Sequence, residues 1–189
     1  MKNISANGLH YSWNWGNVHF VNLGLIVGTN PRVTRKRRFA ALDSLDFLVS
    51  DLAKNVGTSG RPIVLTHHVD IAGNTGPCLD SDDAALKRTW DPCDVRGFHE
   101  SLKTYNIAAI FYGHTHVRNV FLWDGLTPRA KQGFSVFNTD NASHFNNDDQ
   151  AFFYVEAHET ELVIREYQTT DRWQTGAWTP QVWTAPLRS

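Results

Sequence analysis

Two apolar runs in this chain each end in histidines, and a helical pattern precedes each of them. In "GRPIVLTHHVD" the run Ile63, Val64, Leu65 closes on His67 and His68; in "IAAIFYGHTH" the run Ile107 to Ile110 closes on Gly113, His114 and His116. Four to eight consecutive apolar residues read as a buried strand, so the change to polar residues marks where the chain leaves the core. Before the first run, Leu42, Leu45, Leu48, Leu52 and Val56 recur at helical spacing and Gly57 supplies the stop; before the second, Val95, Phe98 and Leu102 do the same. Helix, strand, histidines, then helix, strand, histidines predicts an α/β layer. Its neighbouring strand ends open on one edge, where sites are usually built.

The remaining segments extend this frame. In "LHYSWNWGNVHFVNLG", large residues alternate on both sides of Gly16-Asn17, the signal of a hairpin with a tight primed turn. "VRNVFLW", "GFSVFN", "AFFYVEAH" and "ELVIREYQ" read as further strands separated by turn residues, a second sheet region. Trp173, Trp178 and Trp183 recur at no regular period, which predicts an irregular tail docked on the core, since tryptophan carries a large apolar surface. The cluster Arg35, Lys36, Arg37, Arg38 reads as a solvated charge run. No repeat or linker divides the chain. Residues 1–189 are expected to form one domain, with the motifs in 9–119 and the C-terminal strands and Trp-rich tail in 120–189.

With 189 residues, 41% of them hydrophobic, the chain can bury a sizeable core. A net charge of -1 provides no overall field for nucleic acid or an anionic membrane, and neither partner is expected. No stretch approaches the roughly 18 apolar residues of a membrane span, and the N-terminal residues lack the apolar centre of a signal peptide, so a soluble chain is expected. Cys78 and Cys93 fit neither CxxC nor a zinc-finger pair; a disulfide and two free thiols both suit their spacing.

Residues two apart on an extended chain face the same way, so His114 and His116 can serve one pocket. Neutral imidazole is a common ligand for zinc, iron or manganese, and two metals about 3.5–4 Å apart could take one ring each. His67, at the end of a neighbouring strand, is predicted to converge on the same pocket. His10, His19, His99, His144 and His158 lack this context and read as ordinary polar residues. The zinc-protease pattern HExxH and the nucleophile elbow GxSxG are both absent.

These segments, in this order, resemble the calcineurin-like metallophosphoesterases, a family that includes the purple acid phosphatases. "YSWNWGNVHFVNL" is similar to the family's hairpin, "SLDFLVSDLA" to its covering helix, "PIVLTHH" to its lone-histidine motif and "IFYGHTH" to its closing GHxH motif. The likeness covers most of Leu9 to Asn119. It implies the C-terminal part of a four-layer α/β/β/α sandwich and hydrolysis of a phosphate mono- or diester at two metal ions (Mn, Fe or Zn). It also implies that His67 and His114 bind one metal and His116 the other, with His68 as a supporting group or alternative ligand. The long polar loop from Val69 to Asp94, with Asp70 and Asn74, is the candidate substrate contact.

The family's earlier motifs, DxH, GDxxD and GNH, have no counterpart here. They supply the other ligands, including the bridging aspartate, so the resemblance implies that the missing N-terminal half of the domain is a required partner. Without it, weak metal binding and negligible turnover are expected. The alternative is a binding or structural module that keeps the scaffold without catalysis.

Overall fold

The computed structural model describes residues 1–28, 43–78, 89–139 and 148–187. Strands β1 (Asn3–Ile4), β2 (Tyr11–Trp15) and β3 (Val18–Asn22) open the chain as an antiparallel meander. The expected two-residue turn is present: Trp15 pairs with Val18, and Gly16 takes a φ of 54°, which glycine adopts without steric cost. Helix α1 (Ser44–Asn55) follows and turns Leu48 and Leu52 inward. It stops where Gly57, at φ 54°, returns its N–H to the Leu52 carbonyl at 2.8 Å. Leu42 and the basic cluster Arg35 to Arg38 lie outside the described residues, as does His144.

Strand β4 (Ile63–Thr66) then pairs parallel with β3. Helix α2 (Pro92–Leu102) starts at Asp91, whose carboxylate accepts the Cys93 N–H at 2.8 Å, with Pro92 in the first turn. Strand β5 (Ile107–Tyr112) lies parallel to β4, and β6 (Asn119–Trp123) and β7 (Phe134–Asn138) complete a seven-stranded sheet in the order β1-β2-β3-β4-β5-β7-β6. Strands β8 (Gln150–Ala157), β9 (Glu161–Thr169) and β10 (Ala177–Pro186) form a separate antiparallel sheet with β9 in the middle.

The core divides by face. Both helices bury Leu48, Leu52, Val95, Phe98 and Leu102 against Val21, Ile63, Leu65, Ile110 and Val136 on one side of the large sheet. On the other side, Val18, Val64, Ala109 and Phe137 meet Leu162, Ile164 and Ala185 of the small sheet. At roughly 1.5–3 kcal/mol for each fully buried large aliphatic or aromatic side chain, these two clusters dominate the stabilisation.

This arrangement overturns the four-layer α/β/β/α sandwich. Among the described residues, ten strands and two short helices make a molecule dominated by β-sheet, in three layers. No helix covers the outer face of the small sheet there; Phe152, Tyr154 and Trp178 stand on it about half exposed. The Trp-rich tail is also not irregular. Trp178 and Trp183 belong to β10, and a register shift between Trp178 and Val182 breaks the two-residue period, which hides the strand in the sequence. Trp183 points inward against Phe153, with ring centroids 5.6 Å apart, whereas Trp178 faces outward over Arg165.

Candidate functional site

The strand ends meet as the apolar runs predicted. Thr66 pairs with Phe111, the His67 N–H donates to the Phe111 carbonyl (3.1 Å) and the Gly113 N–H donates to the His68 carbonyl (3.1 Å). The N–H groups of His68 and Val69 both reach the Leu25 carbonyl, at 3.2 and 2.9 Å, so three chain segments close on one edge.

The two adjacent histidines part company there. His67 is 6% exposed, and its ring lies among Trp90 (5.2 Å), Phe98 (5.7 Å) and Tyr112 (6.1 Å) on the helix side of the sheet. Neither ring nitrogen has a hydrogen-bond partner of good geometry among the described residues, the nearby Val69 N–H being taken by Leu25. Burial, helped by the neighbouring His68, holds the pKa of His67 down at about 3, so it is neutral at ordinary pH.

His68 is exposed on the opposite side and stands edge-on to His114, with ring centroids 5.3 Å apart. Its pKa is lowered by partial burial and then by the positive charge that His114 and His116 would carry, which places His116 within electrostatic reach. The structure thus sets His68 ring-to-ring with His114, with His116 in electrostatic range of His68, while the His67 ring lies among Trp90, Phe98 and Tyr112. The two-residue alternation contains the signal for this. Ile63 and Leu65 face the helices and His67 continues that face; Val64 faces the small sheet and His68 falls two steps beyond Thr66 on the same parity.

The Gly-His-Thr-His turn is held in an unusual backbone. His114 and His116 have φ values of 80° and 56°, a left-handed region that costs a residue other than glycine about 1–2 kcal/mol and clusters at functional sites. Asn138 fastens the turn: 1% exposed at the end of β7, it donates to Thr115 Oγ1 and to the Val117 carbonyl, both at 2.5 Å. Sequence reasoning missed Asn138, because its role depends on β7 lying beside β5 and no local pattern announces that. Gly113 lets His68 pack close: a Cβ there would lie 3.2 Å from His68 Nδ1, a tight contact.

Asp70 and Asn74 are occupied within their own loop. The Asp70 carboxylate accepts the N–H groups of Ala72 (3.0 Å) and Gly73 (2.6 Å), while Asn74 donates to the Asp70 carbonyl and accepts the Trp90 N–H. Asp70 also hydrogen-bonds Tyr112. Burial and then the Asp70 charge push the Tyr112 hydroxyl well above its usual range, so it remains a donor. A disulfide joins Cys78 to Cys93, tying this loop to the first turn of α2.

The donor set can be compared with a metal's needs. Two imidazoles on a tetrahedral ion at about 2.0 Å put their ring centroids roughly 5 Å apart, close to the spacing of His68 and His114. Among the described residues, however, no group of three or more His, Cys, Asp or Glu side chains could hold an ion. The dinuclear cluster implied by the resemblance does not fit the described residues.

No family model matches the chain. A protein of Acanthamoeba polyphaga mimivirus, named "Uncharacterized protein L509", is 29% identical over 124 residues, which take in 60% of this chain. The match spans 37% of the viral protein's length, and that protein's name states no activity. No helix among the described residues is long and apolar enough to cross a membrane.

Proposed function

We propose that this chain carries the imidazole donors of a metal-dependent phosphoesterase, with His68 and His114 holding a metal and His116 beside them. The observation that carries the reading is the ring contact between His68, just past β4, and His114, just past the parallel strand β5, on a turn that holds His114 and His116 in left-handed backbone. A bound divalent or trivalent ion such as Mn, Fe or Zn would draw charge from a phosphoryl oxygen and lower the pKa of water. The chain's own residues would hold it: His68 is already biased to the neutral, ligating form, and Asn138 fixes the turn that presents the other two rings. The carboxylates such a site needs are proposed to come from a polypeptide segment bearing DxH and GDxxD sequences.

The test is hydrolysis of an aryl phosphate with added manganese. The 189-residue chain alone should show none above background, and a longer polypeptide that joins it to such a segment should be active. There His114→Ala should lower turnover by about 100-fold or more, at least the loss typical of perturbing a metal's supporting shell. Unchanged turnover in that variant would overturn the reading. The lack of a third ligand among the described residues favours a second reading, a binding or structural module without catalysis; metal-dependent hydrolysis would exclude it.

A further inference from the structure

Two residues beyond His116 the chain reaches Arg118, at most about 7 Å further along the backbone. Arg118 and Arg129 line one cavity of about 240 Å³, together with Asn119, Val120, Gln181 and Trp183. With each water occupying about 30 Å³, that is room for roughly eight waters, below the ~300 Å³ at which pockets begin to take whole drug-sized ligands. The cavity suits one compact group.

The two arginines differ in charge balance. Arg118 donates to Glu166 at 2.9 Å, and Glu166, 1% exposed, also accepts from Thr139. Its charge is therefore spent on a buried carboxylate, which fixes the guanidinium in place. Among the described residues Arg129 meets the neutral Asn119 amide oxygen, at 2.8 Å, and no carboxylate, and its backbone is held at a φ of 60°. Asn119 in turn donates to the Tyr112 hydroxyl at 3.2 Å, and Tyr112 reaches Asp70. Arg129, an exposed residue, thus brings to a small polar cavity a positive charge that no carboxylate among the described residues offsets, on a side chain oriented from the strand ends that hold the histidines. A planar guanidinium matches a phosphoryl group through paired N–H donors.

We propose that Arg118, Arg129 and Gln181 form a phosphoryl-binding subsite beside the histidine turn. It receives a phosphate that is not itself hydrolysed, so the favoured substrate carries two phosphoryl groups. The substrate statement rests on the phosphoesterase reading; the subsite does not.

The subsite is tested by titrating the protein with inorganic phosphate in chelator-treated buffer while following the arginine Nε–H resonances by NMR. A saturable shift at Arg129 is expected. Arg129→Gln should weaken binding roughly tenfold, the loss of one charge-assisted hydrogen bond, with an unchanged thermal midpoint. Because Arg118 also neutralises Glu166, its removal would test folding as much as binding. Asn119→Asp is the better second variant: it sets a carboxylate against Arg129 and should abolish the phosphate response. Absence of saturation, or equal affinity in Arg129→Gln, overturns the subsite even if metal-dependent hydrolysis is found. In the hydrolytic form, Arg129→Gln should raise KM for a bisphosphorylated ester and leave KM for an aryl monophosphate unchanged; equal effects on both overturn the substrate assignment.

Discussion

At the scale of single residues, His67 and His68 show how one step along the chain changes the chemistry of a side chain. His67 continues the helix-facing parity of Ile63 and Leu65 and ends among aromatic rings, where an imidazolium has no solvation. Its folded pKa of about 3 lies below the 6.5 of an unfolded histidine. Between those values the unfolded chain binds a proton that the folded chain refuses. This part of the stability is therefore complete above about pH 6.5 and is lost as the pH falls, at up to about 1.4 kcal/mol per pH unit. Urea unfolding from about pH 7 to about pH 4.5 should show this loss, and His67→Phe, which keeps a ring in the aromatic nest, should flatten it. Equal pH dependence in both proteins would mean that His67 is solvated.

At the scale of elements, a buried polar knot joins the opening hairpin to α1. Asp51, fully buried on that helix, accepts from His19 (2.7 Å), Ser12 (2.8 Å), Asn3 (3.0 Å) and Asn55 (2.7 Å). Desolvation opposes its charge, yet the hydrogen bonds led by His19 and Ser12 outweigh it and hold the carboxyl below the usual range. Asp51→Ala should cost about 3 kcal/mol or more in urea unfolding, because it strands several buried donors at once. An unchanged midpoint would contradict this role. The hairpin was legible from its alternation around Gly16 and the parallel strands from their apolar runs, since both signals are local. From the sequence His19 reads as an ordinary polar residue, because its partner lies 32 positions away and only the packing of α1 on the sheet brings them together. Strand β10 escaped notice for a comparable reason: its register shift erases the period that identifies a strand.

At the scale of the whole molecule, the large sheet presents its helices on one face and the small sheet on the other. The histidine cluster sits at the edge where the parallel strands end. The meeting of the two strand ends was legible; the fourth layer was an implication of the resemblance, and the described residues end in an aromatic sheet face instead. Which histidines share the edge is the claim on which the functional reading depends. It is tested most directly by titrating the ¹⁵N-labelled chain with zinc and following the imidazole nitrogens by NMR. The resonances of His68 and His114 should move together, with His116 affected and His67 unchanged. Zinc-dependent shifts at His67, with His68 left in place, would contradict the account.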